Sequence, residues 1–294
     1  MKNRNKFIGT GVALVTPFKN NGAVDVKALE KLVQHIVKGG CDYLVVLGTT
    51  GEGVTLTSDE KQLVIQTVIN TNKGRLPVVL GIGGNNTQQL VEEIKSTNFK
   101  GVDAILSVSP AYNKPSQAGI IEHYKSIDKV CPVPVILYNV PSRTGSNMIP
   151  STVLEIAKQC KSVIGIKEAS GNVEQAMSII EHKSKDFLVI SGDDGITLPL
   201  VAAGAVGVIS VVANAYPKKF SQMVNAALKG DNKTAQKHYY PFHSFIPLLF
   251  QEGNPAGVKV VLSELKIMED QVRLPLVKVS AGLKSKLKSA LKGL

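Results

Sequence analysis

A lysine, Lys167, stands in the stretch VIGIKEASGN (163–172), directly behind the uncharged run 163–166 and with no turn residue before it. A lysine so placed either packs its stem on apolar surface with its head in water or sits in a dry pocket that uses it. In the second case low dielectric favours the neutral amine, which attacks a ketone to form a Schiff base. The protonated imine then draws electrons from the adjacent carbon and makes it acidic. That chemistry needs a proton carrier near the imine. Tyr138, in ILYNVPSRTG (136–145), closes the preceding apolar run. Its hydroxyl can pass a proton along if other hydroxyls relay it, although a tyrosine so placed also reads as a core residue with a bonded hydroxyl. GTTGEG (48–53) follows another apolar run. Its glycines allow a tight turn that exposes backbone N–H groups, and Thr49 and Thr50 add hydroxyls, a combination that can cradle a carboxylate. Arg143, in the loop after Tyr138, can grip a second carboxylate with its fork of donors or stand as an ordinary exposed loop arginine.

Metal chemistry has no comparable support. The five histidines (35, 123, 182, 238 and 243) lack ligand spacing, and Cys41, Cys131 and Cys160 form no C-x-x-C pair. No metal and no cofactor is expected. Three scattered cysteines also argue against a disulfide framework and for a reducing compartment, each one reading as a small buried apolar residue.

These residues need elements to position them. Short apolar runs without polar alternation recur at 11–17, 43–48, 77–83, 103–110, 133–139, 163–167, 187–192 and 205–211. Val, Ile and Leu dominate them, as in parallel strands covered on both faces. Helical periodicity fills the gaps: Val26, Leu29, Leu32, Val33, Ile36 and Val37 share one face of a helix that Gly39-Gly40 ends, and Ser58 reads as the cap of a second helix carrying Lys61, Leu63, Val64 and Val68. Eight such units predict an α/β fold, a (β/α)8 TIM barrel over 1–225, followed by a C-terminal helical extension over 226–294 with helices near 231–250, 255–266 and 279–293. A doubly wound sheet is the alternative, but the first strand-to-helix turn lacks G-x-G-x-x-G. In a barrel the site lies at the C-terminal strand ends, which gathers Thr16, Thr49, Thr50, Asn85, Tyr112, Tyr138, Lys167, Gly192 and Ser210 onto one rim. Glu168, the next residue after Lys167 on its strand, should face the outer layer.

The chain has 294 residues, 44% hydrophobic and 19% charged, with a formal net charge of +11, the composition of a globular protein. Five lysines between 278 and 294, and no acid there, supply much of that charge. Leu283, Leu287, Leu291 and Leu294 recur at helical spacing, so the segment reads as an amphipathic helix with a solvated basic face. No interleaved aromatics or nucleic-acid motif accompany it, so no nucleic-acid partner is expected. The start of the chain has a basic opening and an apolar stretch, but Gly9, Thr10 and Gly11 break it and no small-residue cleavage site follows. The uncharged region 195–217 contains Pro199, Gly204, Gly207, Ser210 and Asn214 and divides into a short helix and a short strand. Neither reads as a membrane segment, and a soluble cytoplasmic protein is expected.

Taken together, ALVTPF (13–18), GTTGEG (48–53), AYNKPSQAG (111–119), ILYNVPSRTG (136–145), GIKEASGN (165–172), SGDD (191–194), GVISV (207–211) and NPAGVK (254–259) resemble the dihydrodipicolinate synthase family (4-hydroxy-tetrahydrodipicolinate synthases) of the pyruvate-dependent Schiff-base aldolase superfamily. The resemblance covers essentially the whole chain. It implies that Lys167 forms an imine with pyruvate, that Thr49 and Thr50 hold the pyruvate carboxylate, and that Gly192 and Ile209 line the pocket through backbone groups. Thr50 would link Tyr138 to Tyr112, supplied by a neighbouring subunit, in a proton relay, and Arg143 would bind the carboxylate of L-aspartate 4-semialdehyde. The implied assembly is a homotetramer built as a dimer of dimers. Sialic acid lyases and keto-deoxy-sugar-acid aldolases share the lysine and tyrosine but generally lack the SRTG segment, which favours the synthase; a catalytically silent pyruvate-binding barrel has no reason to keep the relay. One part of the pattern is missing. Where lysine-inhibited members carry a serine, a histidine, a glutamate and a tyrosine around an interface pocket, this chain has Gly53, Lys61, Gln89 and Ala111, with Asn85 alone retained. Weak or absent inhibition by lysine is expected.

Overall fold

The computed structural model describes residues 4–294; the first three residues of the expected barrel segment lie outside it. Eight parallel strands close into one barrel in sequence order: β1 (Gly9–Ala13), β2 (Tyr43–Val46), β3 (Val78–Gly81), β4 (Ala104–Val108), β5 (Val135–Asn139), β6 (Val163–Glu168), β7 (Leu188–Ser191) and β8 (Gly207–Ser210), with β8 pairing back to β1. Each lies within a run predicted from the sequence or overlaps it. The helices between them are α1 (Val26–Lys38), α2 (Ser58–Asn72), α3 (Thr87–Ser96), α4 (Gln117–Asp128), the single turn α5 (Pro141–Thr144), α6 (Pro150–Gln159), α7 (Val173–His182) and α8 (Thr197–Ala202). Then follow α9 (Pro217–Leu228), α10 (Asn232–His243), α11 (Phe245–Phe250), α12 (Ala256–Glu264) and α13 (Ala281–Ala290).

Three local expectations change. Helix α2 is capped by Thr57, one residue before Ser58: the Thr57 hydroxyl accepts from Glu60 N while the Glu60 carboxylate accepts from Thr57 N, a reciprocal box that Ser58 could not form with Lys61. Leu63 is exposed rather than part of the buried face. The single helix expected near 231–250 is two, because the chain breaks at Ser244 between α10 and α11. Helix α9 runs through positions 225 and 226 and packs on β1 and α10 alike.

The barrel interior is filled by Ala13, Tyr43, Val45, Val79, Ala104, Leu106, Ile136, Tyr138, Ile164, Ile190 and Ile209, while outward-facing strand residues pack beneath the helices. Strand β6 carries one irregularity. Neighbours Val135 and Ile136 on β5 pair with Val163 and Gly165, so Ile164 is an extra residue, the arrangement of a β-bulge. Counted regularly from the inward Ile164, Lys167 would face outward; the extra residue restores the inward register, and Tyr138 pairs with Lys167. Gly165 is required at this bulge, since a Cβ there would lie 2.5 Å from the Leu188 carbonyl oxygen.

The basic face of the tail is partly neutralised. Lys278 and Lys284 both pair with Asp270, and Lys288 with Glu264, while Leu283 and Leu287 are buried in the main core. Among the described residues no helix is long and apolar enough to cross a membrane.

Candidate active site

Lys167 leaves β6 at the C-terminal mouth with only 7% of its surface exposed. Its Nζ lies 4.3 Å from the centre of the Tyr138 ring and, among the described residues, has no hydrogen-bond or ion-pair partner. The amine therefore sits over an aromatic face with no described protein group bonded to its nitrogen. Tyr138 is likewise buried and belongs, with Thr49, Leu106 and Val108, to the lining of a cavity of about 230 Å³. Glu168 turns the other way, as alternation predicts. Its carboxylate accepts from Asn139 Nδ2 at 3.0 Å, Gln175 Nε2 at 3.0 Å and Ser170 N at 2.7 Å, bracing the ends of β5 and β6 against α7.

The GTTGEG loop leaves β2 through two 3-10 turns, Thr49–Gly51 and Gly53–Thr55, hinged at Glu52 in the left-handed region with φ of 52°. Thr49 is exposed at the mouth and Thr50 is buried. The Thr16 hydroxyl donates to the Gly51 carbonyl at 2.6 Å. The loop is gripped from the far end of the chain as well. Asn254 Nδ2 donates to Thr50 Oγ1 at 2.9 Å, and the Glu52 carboxylate accepts from Lys259 Nζ at 2.5 Å and Arg273 N at 2.9 Å. Lys259, on α12, is fully buried. It also donates to the carbonyls of Thr16 and Gln271, each at 2.8 Å, and stands 4.3 Å from the Phe18 ring centre. Burial pushes its ammonium down to about 8, with the Glu52 charge pulling the other way. Arg273 covers the same Phe18 ring at 4.5 Å and ion-pairs with Glu60.

The other expected residues separate into two groups. Gly192 N donates to Glu168 O at 2.7 Å, next to β6, and Ile209 lies inside the barrel. The neighbouring Asp194 carboxylate accepts from Val211 N and Val212 N, and burial raises its pKa to about 6. Arg143 is exposed on α5, and its guanidinium has no partner among the described residues. Tyr112 is 90% exposed, in the left-handed region with φ of 68°, its N–H bonded to Thr144 O beside Arg143. Asn85 is also exposed, and Ser210, the last residue of β8, is fully buried, its hydroxyl accepting from Ala213 N. Of the five positions read as an effector-site remnant, Gly53 and Lys61 line the same cavity as Tyr138. Asn85 Oδ1 accepts from Ala111 N at 2.9 Å, and Gln89 is exposed on α3.

Sequence reasoning offered Asn254 and Lys259 only as part of NPAGVK and gave Glu52 no role. For Lys259 a signal was present: it interrupts an apolar helix, AGVKVVL, much as Lys167 closes an apolar strand. Among the described residues no group of His, Cys, Asp and Glu could hold a metal ion.

A model of the dihydrodipicolinate synthetase family matches residues 6–294. A 4-hydroxy-tetrahydrodipicolinate synthase from Flavobacterium psychrophilum is 56% identical over 281 residues, covering 96% of each chain. Among solved structures, the dihydrodipicolinate synthase from Aquifex aeolicus superposes with a TM-score of 0.93 at 40% identity, covering 97% of each chain. A monomeric dihydrodipicolinate synthase variant superposes at 0.96 with 36% identity, covering 99% of this chain and 98% of its own.

Proposed function

Since this chain belongs to the dihydrodipicolinate synthetase family and is a lyase, we propose that it joins pyruvate to L-aspartate 4-semialdehyde through an imine on Lys167, the step that opens the diaminopimelate branch of lysine biosynthesis. The observation that carries this is the setting of Lys167: a residue 7% exposed, its amine over the Tyr138 ring and without a hydrogen-bond partner among the described residues. The other buried lysine, Lys259, has its nitrogen bonded to three protein groups; that of Lys167 is left for a ligand at the mouth.

In this reading the Lys167 nitrogen adds to the C2 carbonyl of pyruvate and water leaves. Loss of a proton from C3 gives the enamine, whose C3 bonds to the aldehyde carbon while the aldehyde oxygen takes up a proton. The substrate's amine then adds to C2, the C2–Nζ bond breaks, and Lys167 is released as the heterocycle forms. Thr49 and Thr50 hold the pyruvate carboxylate, with Gly192 and Ile209 bordering it. Tyr138 moves the protons, linked through Thr50 to the partner's Tyr112. Arg143 receives the carboxylate of the second substrate, consistent with its unpaired guanidinium.

The exposure of Tyr112 at 90% and of Val54 at 98% supports an assembly in which each subunit lends its tyrosine to a neighbour, and a homotetramer built from two such dimers, working in the cytoplasm, is the form we propose. No cofactor is required. Weak or absent inhibition by lysine follows from Lys61, which sets a like charge beside the cavity, from Gln89, which offers no carboxylate for an ammonium, and from Gly53 and Ala111, which offer no hydroxyl and no aromatic wall. Borohydride reduction in the presence of pyruvate, followed by mass mapping, should modify Lys167; an unmodified Lys167 would refute the imine. Assay of aspartate semialdehyde against sialic acid and keto-deoxygluconate then tests the second substrate, and turnover persisting in millimolar L-lysine tests the effector reading.

A further inference from the structure

The hydrogen bond from Asn254 to Thr50 joins residues 204 positions apart and reaches a hydroxyl in the expected proton path. Asn254 has 7% of its surface exposed, and its Oδ1 is buried with no partner. It sits at the entry to α12, on the same segment that drives Lys259 into Glu52 of the GTTGEG loop. Two neighbouring contacts from the C-terminal extension thus hold one loop.

A threonine hydroxyl has one proton to donate and two lone pairs to accept with. An amide nitrogen only donates, so the contact from Asn254 Nδ2 occupies one lone pair of Thr50 Oγ1 and cannot take its proton. What remains on Thr50 is one proton and one lone pair. Those are the two connections a hydroxyl needs to receive a proton from one tyrosine and deliver one to another. From this we infer that Asn254 is a positioning residue for the reaction: it fixes the direction of the Thr50 hydroxyl, so that Thr50 carries protons between Tyr138 and the partner's Tyr112 rather than directing its hydrogen into the protein. The inference rests on the Schiff-base reading of Lys167 and assigns the C-terminal extension a part in proton transfer.

The decisive comparison is Asn254→Asp against Asn254→Ala. Aspartate nearly keeps the shape of asparagine but presents an acceptor where the amide donates, so it would take the Thr50 proton and close the relay. Alanine removes the donor without introducing a competitor. The measured quantity is deuterium exchange into the pyruvate methyl group, followed by proton NMR in D2O without the second substrate, which reports imine–enamine proton transfer alone. With Asn254→Ala, borohydride still traps pyruvate on Lys167, while exchange slows by about tenfold to a hundredfold, within the range for general acid–base steps. Exchange is slower again in Asn254→Asp and recovers toward low pH, where the protonated carboxyl can donate to Thr50. Exchange at the unaltered rate in Asn254→Ala, or an Asp variant at least as fast as Ala, would overturn the inference. Should Asn254→Ala not fold, as shown by its thermal transition, Asn254→Ser takes its place as the neutral comparison under the same criteria. Failure of the reading beneath it is distinguishable, since then the unaltered enzyme itself gives no Lys167 adduct.

Discussion

Replacing Gly165 with alanine tests whether the bulge in β6 is what delivers Lys167. The added Cβ would lie 2.5 Å from the Leu188 carbonyl oxygen and 2.7 Å from the Leu188 Cβ. Both atoms belong to the strand paired with Gly165, through the Gly165–Leu188 register, so no side chain can swing away to make room. A carbon–oxygen contact at ordinary van der Waals distance is close to an ångström longer, and β6 and β7 must part by that order. Forcing a methyl group into a packed core costs about 1–3 kcal/mol, which for a chain of this size lowers the melting temperature by about 2–4 °C per kcal/mol. The effect on chemistry is larger. Lys167 is two residues further along the same strand, and a misplacement near 1 Å costs about a hundredfold in rate. Turnover of Gly165→Ala should fall by about that factor with the enzyme still folded, and the borohydride-trapped adduct should form more slowly at saturating pyruvate. A variant with unaltered turnover and an unaltered melting temperature would refute the argument, because it would mean the strands accept the methyl group without moving Lys167.

Other perturbations reach the supports of the site. Lys259→Met leaves the Glu52 carboxylate buried without its cation and should cost about 3–5 kcal/mol by chemical denaturation, with part of the loss recovered in Lys259→Met/Glu52→Gln, where no lone charge remains. Tyr138→Phe should still form the Lys167 adduct but lose about a hundredfold or more in turnover, because only the hydroxyl that moves protons is removed; equal turnover would place the proton carrier elsewhere. His123 is buried against Tyr124, its Nδ1 bonded to Thr87 Oγ1, and desolvation pushes its pKa down to about 4. Between about 6.5 and 4 the unfolded chain binds a proton there that the native chain refuses, so this group's contribution is whole above pH 6.5 and falls with pH by about 1.4 kcal/mol per unit. Asp194, raised to about 6 by burial, acts in the opposite sense, since its native form holds the proton more tightly. The difference in stability between the unaltered chain and His123→Gln, followed through that window, isolates the histidine and should shrink as pH falls; a constant difference would refute it.

The barrel was legible because parallel strands covered on both faces announce themselves as short apolar runs, and β1 to β8 each coincide with or overlap one. The meeting of Tyr138 and Lys167 was legible for a related reason: they lie at the ends of two of those runs, and fold geometry brings such ends together. What the sequence hid depends on contacts distant along the chain. The bulge at Ile164 is a matter of register between two strands, invisible in either alone. The cap of α2 went to Thr57 because the reciprocal bond needs an acid three residues on, and Glu60 meets that condition where Lys61 does not. Nothing local linked Asn254 to Thr50 or Lys259 to Glu52, each pair being separated by more than two hundred residues. Tyr112 shows a different gap: it is 90% exposed, and the role we propose for it needs a second copy rather than the fold of one chain.

Lys167 and Lys259 show why burial alone does not identify a reactive amine. Lys167 closes an apolar run and Lys259 interrupts one, each is nearly or fully buried, and each stands 4.3 Å from the centre of an aromatic ring. Their nitrogens differ in what satisfies them. Lys259 makes three hydrogen bonds, one to a carboxylate; to attack a ketone it would have to break all three and leave Glu52 alone in the core, a loss of several kcal/mol before any bond forms. Lys167 has no such bond to break among the described residues, and its neighbour Glu168 is held away on the opposite face by Asn139 and Gln175. The distribution of carboxylates therefore divides the labour between the lysines. Glu52 fixes Lys259 as the post to which the GTTGEG loop is tied, and the absence of a comparable partner leaves Lys167 free for the imine we propose.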